Sequence, residues 1–451
     1  MSFSNDTICA LATANGVGAI SIIRISGKDA IKQVNLCFTK DVSRVPSHSV
    51  HFGNFYFENE IIDEVLVSVF AHGKSFTGEE SVEISCHGSP FIQQQILRAL
   101  VSVGCRIAEP GEFTQRAFLN GKLDLSQAEA VSDLIAAQTK AMHHMALSQL
   151  KGKFSNDLQQ LREQLIHFAS LIELELDFAE EDVEFADRTA LTSLIKEVLA
   201  KIRRLIQSFE LGNALKNGVP VAIVGAPNTG KSTLLNQLLG EDRAIVSDIA
   251  GTTRDVIEEV LVIDGISFRL IDTAGIRETK ERIEAMGIER SKQKIEQSQL
   301  VICLADGSRA EEVEQAANWT ATLQLQFPDK KMFFVVNKQD IAASTPSCDY
   351  IISAKTGEGL DALKSALVEA IKQDFDFAND TIISNSRHLE ALQHTNNYLS
   401  AAQQGLIQNI PADLIAMDIR AAMRSLGNIT GQIEVDTDIL GNIFSKFCIG
   451  K

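Results

Sequence analysis

The sequence predicts a multidomain protein of mixed α/β and α class: an N-terminal α+β domain, then a helical domain that carries an inserted α/β domain. The 451 residues are too many for one ordinary core and suggest about three domains. Short β-rich runs fill the first part of the chain, and long helical patterns flank a block of alternating strands and helices. The predicted domains are residues 1–120, residues 121–215 plus 379–451, and residues 216–378.

The composition indicates a soluble globular protein of a reducing compartment. Hydrophobic residues make up 45% and charged residues 22% of the chain, as in ordinary folded proteins. The net charge of −17 argues against a protein that coats nucleic acid, because such binding needs cations that neutralise phosphates. The seven cysteines form no CxxC pair, and no basic residue precedes Arg24. With no apolar run of about 18 residues, we expect an untargeted cytoplasmic protein.

The N-terminal domain is predicted from short apolar runs with the composition of strands and from two patterns with helical spacing. A glycine-rich interruption at residues 16–18 suits the turn of a hairpin. The strand-like runs are at residues 19–25, 65–70 and 82–86, and the helical patterns are at residues 29–38 and 90–103.

The helical domain is predicted from apolar stripes that recur every three or four residues, as on a helix that buries one face. The stripes lie at residues 158–176, 191–209, 389–406, 411–426 and 438–447.

The inserted α/β domain is predicted from alternation of strands and helices, which gives a mostly parallel sheet covered on both faces. Ligands of such sheets bind beyond the carboxyl ends of the strands. The predicted elements are a strand at residues 219–224, a helix from Lys231, a hairpin turning at Asp264-Gly265, and strands at residues 300–304, 331–336 and 350–352.

The first of these strands runs into the segment GAPNTGKS at residues 225–232, which is a P-loop in its required position between a strand and a helix. Its glycines allow backbone N–H groups to turn towards phosphates, and the helix N-terminus adds a favourable dipole. Lys231 can reach the outer phosphates, and Ser232 can bind Mg²⁺.

Three further segments match a guanine-nucleotide site. Asp272 in DTAG (residues 272–275) can hold Mg²⁺ through water, and Gly275 can meet the γ-phosphate. Asp340 in NKQD (residues 337–340) can accept from the N–H groups of guanine and should reject adenine by ~10⁴. SAK at residues 353–355 suits backbone contacts to guanine O6.

Taken together, these motifs predict a Ras-like P-loop G domain that hydrolyses GTP. Residues 251–255 (GTTRD) offer a threonine for Mg²⁺ that orders only with the γ-phosphate. Where many small GTPases have a glutamine after the DxxG glycine, this chain has Ile276. Acids within residues 277–289 are candidates to orient the attacking water, and a solvated helix face is the alternative interpretation of that stretch.

Over its whole length the chain resembles the bacterial MnmE (TrmE) family of tRNA-modification GTPases. The resemblance rests on IIRISG at residues 22–27, FTGEE at 76–80, GEFTQRAFLNGKLD at 111–124, the G domain, and the terminal CIGK at 448–451. It implies a homodimer that works with the FAD-binding partner MnmG (GidA) on tRNA. The implied product carries a carboxymethylaminomethyl-type group on C5 of the wobble uridine, and the implied G domains dimerise with K⁺ bound.

The resemblance also implies residue roles in GTP hydrolysis. K⁺ would be held by Asn228, Ser247, Thr252 and the backbone of Ile249, although Asn228 alone also suits a turn. Mg²⁺ would be held by Ser232 and Thr253, and Glu284 would orient the water. The GTP-binding residues that we predict are Asn228, Thr229, Gly230, Lys231, Ser232, Thr233, Ser247, Asp248, Ile249, Ala250, Gly251, Thr252, Thr253, Asp272, Thr273, Ala274, Gly275, Asn337, Lys338, Asp340, Ser353, Ala354 and Lys355.

A 5-formyltetrahydrofolate site in the N-terminal dimerisation domain is implied as well, with Arg24, Glu83, Lys122 and Lys451 as its residues. From the sequence alone the first three are equally well surface charges. Cys448 is a candidate catalytic nucleophile towards a pyrimidine ring, with a structural thiol as the alternative. Two rival functions remain: a regulatory GTPase of ribosome or RNA assembly, and a folate-dependent one-carbon enzyme that acts alone.

Overall fold

The computed structural model describes residues 6–177, 188–242, 259–271, 292–342, 347–372, 380–408, 410–431 and Gly450. The chain divides into two compact units: one of Met1–Ile135, Leu147–Ile195 and Asn397–Lys451, the other of Ala136–Ala146 and Lys196–Asn396. We call them the N-terminal/helical unit and the α/β unit. The predicted three-part boundaries stay a prediction.

The named elements of the described residues follow in chain order. The strands are β1 (Ile8–Leu11), β2 (Ile20–Ser26), β3 (Ser49–Phe57), β4 (Glu60–Phe70), β5 (Ser81–His87), β6 (Arg106–Ile107), β7 (Val219–Val224), β8 (Glu259–Ile263), β9 (Ile266–Leu270), β10 (Leu300–Asp306), β11 (Lys331–Asn337) and β12 (Tyr350–Ile351). The helices are α1 (Ala30–Asn35), α2 (Pro90–Ser102), α3 (Glu112–Leu119), α4 (Leu125–Ala136), α5 (Lys140–Leu150), α6 (Lys153–Asp177), α7 (Arg188–Asn217), α8 (Lys231–Asp242), α9 (Ala310–Gln326), α10 (Leu360–Lys372), α11 (Ser386–Ile407) and α12 (Ala412–Thr430).

The N-terminal sheet has six strands in the order β3-β4-β5-β2-β1-β6. Its pairs are antiparallel except β1 with β6. The predicted hairpin is confirmed, because β1 and β2 pair across the glycine-rich segment. Alternate residues of β2 and β5, such as Ile23 and Ile84, are fully buried and pack in one core with Ile96 and Leu100 of α2. Each such side chain contributes about 1.5–3 kcal/mol by leaving water.

Strand β3, the two-residue strand β6 and helix α3 were not predicted from the sequence. Strand β3 carries Val50 and Phe52 on an exposed face, so its pattern does not show a buried stripe. Helix α3 is only eight residues long, which is too short for its apolar spacing to stand out.

The predicted helices on either side of the α/β block are confirmed for the described residues. In the N-terminal/helical unit, α6 and α12 pack against each other. Helix α12 ends at Gly431, whose φ of 75° requires glycine and whose added Cβ would lie 2.8 Å from Cζ of Phe118. The stripe predicted at residues 438–447 lies outside the described residues.

The sheet of the α/β unit has the order β12-β11-β10-β7-β9-β8. All of its pairs are parallel except β8 with β9, the hairpin predicted at Asp264-Gly265. The central strand β10 is buried at all seven positions, as expected for a strand covered by helices on both faces. Because the parallel strands run in register, Asp306 pairs with Asn337 at their carboxyl ends. The strand ends that precede the predicted motifs therefore lie together at the carboxyl edge of this sheet.

Among the described helices, none combines the length and the apolar character that crossing a membrane requires.

Candidate functional site

The P-loop lies between β7 and α8 at the carboxyl edge of the α/β sheet. Its backbone has positive φ at Gly225 (152°), Asn228 (65°) and Gly230 (97°). A Cβ on Gly225 would lie 2.2 Å from the Leu304 carbonyl oxygen, and one on Gly230 would lie 2.3 Å from Asn337 Nδ2. Both positions therefore require glycine for conformation and for space. Asparagine tolerates the left-handed region better than most residues, so the φ of Asn228 fits both interpretations given above.

The Lys231 ammonium group folds back over this loop. Its Nζ donates to the carbonyl oxygens of Gly225 at 2.9 Å and Ala226 at 2.7 Å. Burial, and then the nearby charge of Lys294, lower the pKa of Lys231. Ser232 and Thr233 follow in the first turn of α8, where helix N–H groups and the helix dipole favour an anion. The Lys231 ammonium group, the P-loop N–H groups and the N-terminus of α8 therefore lie together where a polyphosphate would bind.

Asn337 joins three of the predicted motifs. Its side chain is buried, its Nδ2 donates to the Thr229 carbonyl oxygen at 2.9 Å, and its Oδ1 accepts from the Ala354 backbone N–H at 2.8 Å. A single amide therefore fixes the P-loop, the end of β11 and the SAK segment relative to one another.

Asp340 is held in position from the SAK segment. The Ser353 hydroxyl donates to Asp340 Oδ1 at 2.8 Å, and the Gln339 backbone N–H donates to the Ile352 carbonyl oxygen at 3.2 Å. Asp340 and Lys355 are exposed. The Asp340 carboxylate is therefore open to solvent next to the SAK segment, which Asn337 links to the P-loop. The Asp340 carboxylate can therefore accept hydrogen bonds from the base of a nucleotide whose phosphates bind at residues 225–231.

Asp306 is a site residue that the motifs did not reveal. It ends β10, and its carboxylate forms a short ion pair with Lys338 and accepts from the Ser308 hydroxyl at 2.6 Å. Burial would raise the pKa of Asp306, but the hydrogen bonds from Lys338 and Ser308 outweigh it and hold that pKa below its usual value. In the sequence it lies two residues beyond the strand predicted at residues 300–304, and the structure extends that strand to Asp306 beside β11.

Several predicted site residues lie outside the described residues and stay predictions. They are Ser247, Asp248, Ile249, Ala250, Gly251, Thr252, Thr253, Asp272, Thr273, Ala274, Gly275, Glu284, Cys448 and Lys451.

A second polar site lies on the N-terminal sheet. Arg24 of β2 and Glu83 of β5 are cross-strand partners, and both Nε and Nη2 of Arg24 lie 2.9 Å from Glu83 Oε1. The guanidinium carbon is 5.7 Å from the ring centre of Phe76 and 5.8 Å from that of Phe113. The structure thus brings Arg24 and Glu83 together, with the Arg24 guanidinium close to two aromatic rings.

Lys122 belongs to the same neighbourhood through the loop between β4 and β5. Its Nζ donates to the Gly73 carbonyl oxygen at 2.6 Å, in the loop that also carries Phe76. Nη1 of Arg24 lies 3.5 Å from the carbonyl oxygen of Gly450, next to the predicted Lys451.

Behind this site lies a network of buried charges that sequence reasoning missed. Arg116 and Glu112 are 4% and 3% exposed and are linked at 2.9 Å. Arg116 also binds Asp6 at 2.8 Å and Glu79 at 3.2 Å, and Arg106 binds Glu112 at 2.6 Å. Burial opposes ionisation of Glu112, yet hydrogen bonds from Arg106 and Arg116 hold its pKa below the usual value. These ion pairs join the loop between β4 and β5, which carries Glu79, to α3 and to β6.

The α/β fold and its site define a class of protein: a P-loop GTPase, whose described nucleotide-binding motifs lie in the α/β unit. Two family models match the chain, one described as "GTP-binding protein TrmE N-terminus" over residues 7–122 and one as "MnmE helical domain" over residues 125–448. The second match alone covers more than half of the chain.

Curated relatives match from end to end. A protein of Christiangramia forsetii is 50% identical over 472 residues, covering 99% of each chain, and one of Cytophaga hutchinsonii is 52% identical over 451 residues, covering 99% of this chain and 98% of its own. Both are named tRNA modification GTPase MnmE. A solved G domain, that of the T. maritima FeoB iron transporter, is 27% identical, covers 34% of this chain and 97% of its own, and has a TM-score of 0.25. This chain belongs to the MnmE family.

Proposed function

We propose that this protein couples GTP hydrolysis to modification of tRNA. The target is C5 of the wobble uridine, which receives a carboxymethylaminomethyl-type group in concert with the FAD-dependent partner MnmG (GidA). The observation that carries the nucleotide part is the Asn337 bridge, which joins the phosphate loop to the base-reading segments. The tRNA part is supported by the name that the end-to-end relatives share.

In the proposed hydrolysis, the chain's own residues bind and orient the nucleotide. The P-loop amides and the α8 N-terminus receive the phosphates, and Lys231 exchanges its two carbonyl partners for phosphate oxygens. Asp340 accepts from the guanine edge while Ser353 holds its other side. Glu284 is proposed to orient the attacking water.

The described residues fit the proposed cations. Ser232 lies at the start of α8, where a P-loop hydroxyl binds Mg²⁺, and Thr253 is the proposed second ligand. Asn228 occupies a left-handed position of the P-loop and offers an amide oxygen that suits K⁺, with Ser247, Ile249 and Thr252 as the other proposed ligands. These cations would supply positive charge to the transition state.

The N-terminal polar site fits a folate. A carboxylate such as Glu83 pairs with the N–H edge of a pterin, the rings of Phe76 and Phe113 offer aromatic surface, and Lys122 and Lys451 suit a glutamate tail. We therefore propose 5-formyltetrahydrofolate as its ligand. Cys448 stays a proposed nucleophile of the same chemistry.

A homodimer in the cytoplasm is proposed through the N-terminal sheet. Strand β3 is at one edge of that sheet, where Val50 and Phe52 are 59% and 54% exposed and Phe52 pairs directly with Leu66, itself 45% exposed. An apolar face of this kind commonly marks a protein interface.

The base site is tested by Asp340→Asn. Asparagine offers an N–H where the 2-oxo group of xanthine needs a donor, whereas guanine presents its 2-amino group there. The variant should therefore lose affinity for GDP by at least about a hundredfold and gain affinity for XDP. The two dissociation constants are measured by calorimetry. Unchanged GDP affinity would contradict the assignment of the guanine site.

The cation proposal is tested by GTP turnover in K⁺ and in Na⁺ at equal ionic strength. Asn228→Ala should remove most of the K⁺ stimulation, while Asn217→Ala, an exposed residue of α7, should keep it. Equal rates in the two salts for the unaltered protein would favour the regulatory GTPase instead.

The tRNA function is tested in a deletion strain. The wobble uridine should lack its C5 group, and the gene carrying Glu83→Ala should fail to restore it. Normal tRNA together with folate binding would favour the one-carbon enzyme that acts alone.

A further inference from the structure

The turn that follows β10 packs on the segment assigned to guanine. Residues 306–308 are Asp-Gly-Ser, and Asp306 pairs in register with Asn337. The Gly307 backbone N–H donates to the Asn337 carbonyl oxygen at 2.8 Å. A Cβ on Gly307 would lie 2.7 Å from that oxygen and 2.8 Å from Val336 Cγ1. The turn thus lies in direct backbone contact with the residue before Lys338.

Lys338 is held by this turn in a strained conformation. Its φ and ψ are 67° and 38°, the left-handed region that costs a residue with a Cβ free energy and that is found at functional sites. Its ammonium group is paired with the carboxylate of Asp306, which is 5% exposed. The same carboxylate accepts from both the Ser308 backbone N–H at 3.0 Å and the Ser308 hydroxyl at 2.6 Å.

The direction in which Lys338 is held has a consequence for the nucleotide. Lys338 stands between Asn337, which is bonded to the P-loop, and Asp340, which is bonded to Ser353. A base bound at Asp340, with its phosphates on the P-loop, would then lie next to the Lys338 side chain. A lysine stem fixed at its far end gives the base a preordered apolar surface, whereas a free lysine must lose rotamer entropy on binding.

We propose that the turn at residues 306–308 is a positioning element of the guanine site, and that Asp306 acts on the nucleotide through Lys338. The proposal rests on the proposed assignment of residues 337–340 to guanine. It adds a residue outside that segment, on the neighbouring strand, to the determinants of nucleotide affinity.

The principal test is Asp306→Asn, measured as GDP affinity by calorimetry and as steady-state GTP turnover. The new amide keeps the shape but presents only a neutral oxygen or an N–H group to the ammonium, so Lys338 loses its ion pair and keeps at most a hydrogen bond to a neutral acceptor. We expect the dissociation constant of GDP and the KM for GTP to rise about tenfold, while kcat at saturating GTP changes less than about twofold. Asp349→Asn is the matched control, because Asp349 is an exposed carboxylate of the same unit that accepts from the Phe334 N–H.

A double-mutant cycle separates positioning from general support of the fold. Lys338→Met keeps an apolar stem and removes the charge, so Asp306→Asn in that background should weaken GDP binding by less than about twofold further. Asp306→Glu, which restores a carboxylate one methylene longer, should recover part of the affinity. Additive losses in the cycle, or an unchanged GDP affinity in Asp306→Asn, would overturn the proposal.

Asp340→Asn is the reference that separates this proposal from the function on which it rests. If Asp340→Asn weakens GDP binding and Asp306→Asn does not, the positioning role alone is wrong. If neither variant weakens GDP binding, the guanine-site assignment is wrong and the positioning role falls with it. If Asp306→Asn does not fold, Ser308→Ala keeps the carboxylate and should weaken GDP binding by about twofold, and Lys338→Met should weaken it more; an unchanged GDP affinity in both variants would then overturn the proposal.

Discussion

The two polar sites are built on different physical principles. In the α/β unit, one neutral amide, that of Asn337, joins the P-loop to the SAK segment at the ends of parallel strands. In the N-terminal sheet, charged side chains from distant segments compensate one another in the interior, with Arg116 and Glu112 almost fully buried. The Asn337 amide carries no charge, although the Asp306–Lys338 ion pair lies on the same two strand ends, whereas the network around Arg116 consists of charges and depends on every partner being present.

The largest effect on stability should follow the removal of Arg116. Arg116→Ala leaves Glu112 with fewer partners and removes the link to Glu79, and breaking a buried ion pair typically costs about 3–5 kcal/mol. Urea unfolding followed by far-UV circular dichroism measures the loss. Arg204→Ala is the control, because that guanidinium is 63% exposed and its loss should cost less than about 1 kcal/mol. Equal losses would contradict the conclusion that burial makes the Arg116 network costly to break.

A smaller effect should follow the loss of the neutral bridge in the α/β unit. Asn337→Ala leaves the Thr229 carbonyl and the Ala354 N–H without their side-chain partner, which should cost about 2–3 kcal/mol. The single tryptophan, Trp319, is partly buried and packs against a hydrophobic core of this unit, so its fluorescence during urea unfolding reports the change. The exposed Asn217 supplies the control, and Asn217→Ala should stay within about 0.5 kcal/mol of the parent.

The pH dependence should distinguish the charged network from the neutral bridge. The folded-state pKa of Glu112 is depressed, so its charge adds stability above the unfolded pKa of about 4.3, and that stability is lost as the pH falls through the folded pKa. Glu112→Gln should therefore cost about 1–2 kcal/mol at pH 7 and less in acid. A difference that stays constant from pH 7 to pH 3 would contradict the ionic account.

The smallest effect on stability is expected at the Arg24–Glu83 pair. Both side chains are partly exposed, at 23% and 26%, so Glu83→Ala should cost less than about 1 kcal/mol. The same change should abolish binding of 5-formyltetrahydrofolate in a calorimetric titration, and Glu64→Ala, at an exposed position of β4, should not. Retained binding in Glu83→Ala would remove Glu83 from the proposed site.

The comparison also explains what the sequence could predict. The P-loop strand, the start of α8 and the hairpin at Asp264-Gly265 were predicted at their observed positions. Each depends on a local rule: a glycine-rich phosphate loop, a helix after it, and a turn pair between two apolar runs. Each of these rules depends on consecutive residues, so it can be recognised in the sequence without knowing the fold.

The N-terminal site could be predicted only in part because its partners are distant in the chain. Arg24 and Glu83 are 59 positions apart, and only the register of β2 with β5 brings them together. Asp6 and Arg116 are 110 positions apart, and neither belongs to a pattern that signals an ion pair. Asp306 was missed for a related reason, since its partner Lys338 lies on the next strand.

Because Asn337 links the two loops of the nucleotide pocket, we expect both loops to unfold locally as one cooperative unit. Local unfolding proceeds in cooperative units whose members share hydrogen bonds, and here the Thr229 carbonyl and the Ala354 N–H share one side chain. The P-loop and the SAK segment should therefore exchange their amide hydrogens at matching rates. A ligand that contacts only the SAK segment should also slow hydrogen exchange in the P-loop.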